Sequence, residues 1–108
     1  MYNELLNIEI IRKKLNNRNI YWTKHCLNRM NQRNILILDV ENAINNGKII
    51  ECYYDDYPYT SCLILGKTSN DKIIHVVCGI ADHFLYIITA YYPDTEKWEE
   101  DMETRRVK

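Results

Sequence analysis

Apolar positions in the first half of the chain recur at helical spacing. Leu5, Leu6, Ile8, Ile11 and Leu15 fall three or four residues apart over much of their run, which predicts an amphipathic helix over Tyr2–Leu15 closed by Asn16-Asn17. Ile20-Tyr21-Trp22 reads as a short extended approach, and Thr23 as an N-cap whose hydroxyl accepts a first-turn N–H. The next helix is predicted over Lys24–Arg33. At about 100° per residue, Cys26, Leu27 and Met30 gather on one side. His25, Arg29 and Gln32 gather on the other, with Arg33 at their margin. A further helix is expected from about Leu38 to Asn46, with Asp39 near its start, Gly47 as its cap and an inward face of Val40, Ala43 and Ile44.

After Gly47 the pattern changes. Lys48–Tyr54, Thr60–Lys67, Lys72–Ile80 and Phe84–Tyr92 are rich in β-branched and aromatic residues and read as strands. Short polar connections join antiparallel neighbours, because parallel pairing needs a crossover of about a dozen residues. The expectation is a four-stranded antiparallel meander. Lys72–Ile80 is apolar on both faces apart from His75, which suits its centre. Pro93 ends the last strand, and Asp94-Thr95-Glu96 is expected to cap a short C-terminal helix. The predicted fold class is α+β: N-terminal helices packed on a four-stranded antiparallel sheet, in one domain over residues 1–108.

Composition narrows the classes. No apolar run approaches the roughly eighteen residues of a membrane span, and Met1–Asn17 mixes charges among its apolar residues, unlike a signal peptide. The expected address is the cytoplasm, without membrane contact, and Cys26, Cys52, Cys62 and Cys78 are expected as free, small buried hydrophobes. His75-x-x-Cys78 has metal-like spacing, but strand geometry points the two side chains to opposite faces, so no metal site is expected. Nucleotide-loop, zinc-protease and nucleophile-elbow motifs are absent, and no cofactor is expected.

Charge is segregated. Arg12–Arg33 holds seven basic residues and no acidic one, whereas residues 34–93 hold three basic and seven acidic. A positive segment of this kind attracts an anionic partner even on a chain of net charge −1, or is a plain solvated face. Within it His25 and Arg29 are helical neighbours, Lys24 precedes them and Arg33 follows. An imidazole beside a guanidinium suits phosphodiester chemistry: one moves a proton near neutral pH, the other stabilises charge on phosphate oxygens. His75 reads either as a core histidine or as part of a composite site. Thr89 and Tyr91, on the face of Leu85 and Ile87 by alternation, either bind a phosphate or cap the core. Tyr53, Tyr54, Tyr57 and Tyr59 could stack bases, but beside Asp55-Asp56 they read mainly as packing around a hairpin.

Several strings together resemble one family. Trp22-Thr23-Lys24-His25-Cys26-Leu27-Asn28-Arg29-Met30-Asn31-Gln32-Arg33-Asn34-Ile35 is similar to the W-[ST]-x-H-A-x-x-R-M-x-x-R-x-I opening of domain-of-unknown-function family 4258, with Cys26 where alanine is usual. Tyr57–Leu63 with Leu65-Gly66, then His75-Val76-Val77, Ile88–Pro93 and Lys97-Trp98 resemble its later motifs, so the likeness spans about Ile20–Trp98. That family looks like a distant relative of RelE- and MqsR-type toxins, small metal-independent endoribonucleases. The resemblance implies a RelE-like fold, RNA as substrate and a cognate antitoxin protein as partner. It further implies a site where His25, Arg29, His75 and Tyr91 serve catalysis and Arg33, Lys24 and Thr89 hold phosphate. RelE-type toxins are usually basic overall, whereas this chain is slightly acidic. The competing expectation is a non-catalytic module that binds protein or nucleic acid through its basic helical face, or a relative that keeps the fold without activity.

Overall fold

The computed structural model describes residues 6–81 and 83–107. Helix α1 spans Ile8–Asn16 and buries Ile11 and Leu15, with Asn7 Oδ1 accepting the Glu9 N–H at 2.7 Å as its N-cap. The helix expected over Tyr2–Leu15 is corrected to a later start, because Asn7 is extended and caps it; the part of that expectation before Leu6 lies outside the described residues. Strand β1 is Ile20–Trp22, and helix α2, Lys24–Gln32, starts at Thr23, whose Oγ1 accepts the Cys26 N–H at 3.0 Å. Cys26 and Met30 face inward as expected, but Leu27 sits at the rim, 36% exposed. Helix α3 spans Ile37–Asn46, where Asp39 takes over the capping that Leu36 lacks by accepting the Leu36 N–H at 3.0 Å. The Arg12 guanidinium ties α1 to the end of α3 by donating to the Ile44 and Gly47 carbonyls at 3.0 and 2.7 Å.

Strands β2 (Lys48–Tyr53), β3 (Thr60–Lys67), β4 (Ile73–Ala81) and β5 (Phe84–Tyr91) form the predicted antiparallel meander with β4 inside it. The expected count of four strands is corrected to five. Ile20–Trp22 adds β1 parallel to β5, pairing Ile20 with Leu85 and Trp22 with Ile87, for an order β1-β5-β4-β3-β2. The whole chain between β1 and β5 supplies the long crossover that parallel pairing requires, so the short-connection argument never applied to this pair.

The three helices among the described residues cover one face of the sheet. There Cys62, Ile64, Ile74, Val76, Cys78, Leu85 and Ile87 pack under Ile11, Cys26, Met30, Val40 and Ile44. At Gly66 the helix α3 backbone rests on the sheet: a Cβ there would lie 2.2 Å from the Ala43 carbonyl oxygen, so only glycine fits. The four cysteines are free thiols, and Cys62 and Cys78 face each other across β3 and β4 with their Sγ atoms 3.8 Å apart.

Around His75 the other face is covered by the C-terminal segment, and here two expectations are corrected. After Pro93 the chain makes one turn rather than a helix: the Asp94 carbonyl accepts the Lys97 and Trp98 N–H groups at 2.9 and 3.1 Å. It then reverses around Asp101, whose Oδ1 accepts from Glu103 and Thr104, and returns so that Trp98 bridges Arg105. Short polar side chains that bond their own backbone favour such turns over a continuing helix. Second, β5 carries a bulge. Ile87 pairs with Cys78 but Thr89 with Val77, leaving Ile88 as an extra residue. Thr89 and Tyr91 therefore lie opposite Leu85 and Ile87, on the face of His75, not with them.

Candidate functional site

The predicted site residues fall into two groups at the two ends of β5. His25, in the first turn of α2, is exposed and opens into a cleft of about 480 Å³. Tyr21 of β1, Tyr86 of β5 and Tyr59 line it with Thr23 and Ile88. Tyr59 stacks on Tyr86 with ring centres 4.3 Å apart and planes within 10°, while Tyr21 meets Tyr86 at 5.4 Å. Gly79 makes room for this stack, since a Cβ there would lie 2.9 Å from the Tyr59 Cβ. Arg29 follows His25 by one turn, about 6 Å along the axis. It and Lys24 are exposed, without a side-chain hydrogen bond or ion pair among the described residues.

Arg33, Thr89, Tyr91 and His75 form the second group. β1 ends opposite Ile87, so beyond it the edge of β5 has no strand beside it. Arg33, at the C-terminal end of α2, fills that gap by donating Nη1 to the Ala90 carbonyl at 2.9 Å and to Thr89 Oγ1 at 3.3 Å. Arg33 and Tyr91 then line a pocket of about 390 Å³ with Tyr92, Lys97, Trp98 and Arg105.

His75 sits beneath this pocket and is fully buried. Its Nε2 lies 2.7 Å from the Met102 carbonyl and its Nδ1 3.4 Å from the Tyr91 hydroxyl. Trp98 closes over the ring edge-on at 4.6 Å. A nitrogen 2.7 Å from a carbonyl oxygen is a donor, so Nε2 carries the proton and Nδ1 faces the phenol as acceptor. Burial pushes the His75 pKa below the usual histidine value, opposed by the Met102 hydrogen bond and by Glu51. Burial likewise pushes the Tyr91 phenol up. This is a satisfied core histidine, the structural alternative open in the sequence.

Glu51 and Arg105 flank it. Arg105 donates Nε and Nη2 to Glu51 at 2.8 and 3.0 Å, while its guanidinium lies 4.5 Å from the Trp98 ring centre. The hydrogen bond from Arg105 holds the Glu51 carboxyl below its ordinary range, and Tyr53, donating to the same carboxylate, is raised by burial first. Sequence reasoning missed Tyr21, Tyr86, Glu51 and Arg105 in these sites, and gave Tyr59 to hairpin packing. The alternation of Tyr21 and Tyr86 toward one face was readable, but their union needed the parallel β1–β5 pair.

The cleft and the histidine are not one site. His25 meets β5 near Tyr86–Ile88 and His75 meets it at Tyr91, about four residues or 13 Å along the strand. Among the described residues no group of three or more His, Cys, Asp or Glu side chains could hold a metal ion, and no helix is long and apolar enough to cross a membrane.

Fold and site thus define a small α+β domain with an exposed histidine–arginine helix beside an aromatic cleft. The family described as Domain of unknown function (DUF4258) matches residues 22–92, about two thirds of the chain, and the protein belongs to it. The match takes in α2 and every strand but the first two residues of β1, and stops before the turn that carries Trp98. No curated protein and no solved structure matches the chain.

Proposed function

We propose that the protein is a toxin-like, metal-independent endoribonuclease acting on single-stranded RNA, related to the RelE and MqsR toxins in fold and role. The observation that carries this reading is the exposed His25 at the mouth of the tyrosine cleft, with Arg29 one turn beyond it on the same basic helix. Single strands are held by cationic grooves that track phosphates and by aromatic rings that take bases, and both elements adjoin here. His25 would take the proton of a 2′-hydroxyl as that oxygen bonds the neighbouring phosphorus and the P–O5′ bond breaks. This leaves a 2′,3′-cyclic phosphate and a 5′-oxygen, to which the proton is returned from His25 directly or through water. Arg29, with Lys24, would stabilise the charge that develops on phosphate oxygens. Arg33 and Thr89 would hold the strand farther along. On this reading RNA in the cytoplasm is the substrate and a cognate antitoxin protein the partner.

The test is cleavage of a labelled single-stranded RNA by the full chain in excess chelator. His25→Ala and Arg29→Ala should each lose about a hundredfold or more in rate, and Lys13→Ala, on the exposed side of α1, should not. Equal rates in all three variants would sink the proposal. One observation favours a second reading. Trp98 and Met102 seal His75 away from the cleft, and among the described residues His25 is the one imidazole that lines it. A module that binds RNA without cutting it predicts salt-sensitive binding, no turnover, and a His25→Ala variant that binds as the wild type does.

A further inference from the structure

We infer that the pocket between α2, the end of β5 and the C-terminal turn binds the phosphate of a nucleotide, as a second subsite separate from the His25 cleft. It rests on the RNA reading only for the identity of the strand it would hold. Arg33 is fixed at one wall. Its Nη1 is spent on Thr89 and Ala90, which leaves Nε–H and both Nη2 hydrogens without a partner among the described residues. Lys97 lines the same pocket, and its ammonium likewise has no partner among the described residues. Arg105 is tied to Glu51 and stacked on Trp98, so its charge is largely offset and it serves as a rigid wall. Asp94 is on the rim but is held in its own turn, Oδ1 accepting the Glu96 N–H at 2.9 Å.

The pocket therefore presents two unspent cations, one of them a fork of preset geometry, beside the rings of Tyr91 and Tyr92. A phosphate with a flat base attached satisfies both features, and a volume of about 390 Å³ lies at the lower end of small-ligand pockets. Arg33 stands eight residues beyond His25, about 12 Å along the helix. One continuous strand could then occupy both places.

Calorimetric titration of the full chain with adenosine 5′-monophosphate tests this. Saturable binding is expected, with adenosine and inorganic phosphate each weaker by at least about tenfold, the loss of one charge-assisted contact set. Lys97→Gln and Arg33→Lys should each weaken the nucleotide by about tenfold, while the exposed Lys97→Gln keeps the wild-type thermal midpoint. A nucleotide that binds no better than adenosine, or as well to both variants as to the wild type, overturns the site. Inorganic phosphate binding as tightly as the nucleotide overturns it as a nucleotide site. A short RNA with and without a 5′-phosphate separates the sources: a preference for the phosphorylated end assigns a terminal phosphate, equal affinity an internal one. His25→Ala should leave nucleotide binding intact. Nucleotide binding without RNA cleavage would fail the ribonuclease reading alone, and cleavage without nucleotide binding would fail this pocket alone.

Discussion

Replacing Trp98 by alanine removes the side chain that joins the C-terminal segment to the sheet. Trp98 is only 3% exposed, with its ring edge-on to His75 and its face under the Arg105 guanidinium. Truncating a buried tryptophan costs about 3–5 kcal/mol, transfer and cavity together. The lower figure applies here, because a surface segment relaxes more readily than a core and the exposed side of the Arg105 contact contributes only about 0.5–1 kcal/mol of it. A loss of about 3 kcal/mol in a domain of this size lowers the melting midpoint by about 12–18 °C. Calorimetry or urea unfolding reads that number, and Trp98→Phe should recover at least half of it. An independent consequence follows at His75. With the indole gone the imidazole is hydrated, so the burial that depresses its pKa weakens and its titration moves up toward the ordinary histidine value. A midpoint within about 4 °C of wild type, with an unmoved His75 titration by NMR, would refute the claim that this segment is packed into the domain.

Acid should destabilise the protein through His75. Its folded pKa is depressed by burial, so just below pH 6.5 the unfolded chain takes up a proton that the folded chain refuses. Stability is then full above about pH 6.5 and falls as pH drops through that value, with a slope of up to one proton. Urea midpoints between pH 5.5 and 7.5 should show this slope in the wild type and lose it in His75→Gln. Gly66→Ala should cost about 3 kcal/mol by thermal unfolding, because the added Cβ meets the Ala43 carbonyl and α3 must lift from β3. A midpoint equal to wild type would show that α3 rests elsewhere.

Local signals were enough for most elements. The Thr23 cap, the inward Cys26 and Met30 of α2, and the bounds of β3 follow from spacing and side-chain chemistry that act within a few residues. What failed was non-local. Three residues, Ile20–Trp22, carry too little pattern to declare a strand, and only the partner edge of β5 makes them one. The C-terminal turn had a helix-like opening in Asp94-Thr95-Glu96, but its course is set by where Trp98 finds His75. For the site, helical spacing separated His25 and Arg29 from the packing face, and exposure agrees with that separation. It could not say that the free edge of β5 would draw Arg33 toward Thr89, nor that His75 would spend both nitrogens inside the protein.

The position of Thr89 and Tyr91 isolates the physics most cleanly. Strict alternation from Leu85 and Ile87 puts both hydroxyls against the helices, where neither would find a polar partner. One extra residue, Ile88, reverses the parity, and the ladder resumes with Thr89 opposite Val77 and Tyr91 opposite His75. Ala90, small and fully buried, then fills the core position beneath α2. Without Ile88 the order Leu85, Tyr86, Ile87, Thr89, Ala90, Tyr91 alternates regularly onto the faces these residues already occupy. Deleting Ile88 should therefore keep the fold and the Tyr91–His75 contact. Because Ile88 is 38% exposed, the deletion should cost no more than about 1 kcal/mol and shift the midpoint by less than about 6 °C. The same deletion narrows the tyrosine cleft that Ile88 lines, so RNA binding should fall while nucleotide binding at Arg33 and Lys97 does not. A variant that unfolds, or whose Tyr91 no longer shifts with His75 ionisation in NMR, would show that alternation and not the bulge sets the faces of β5.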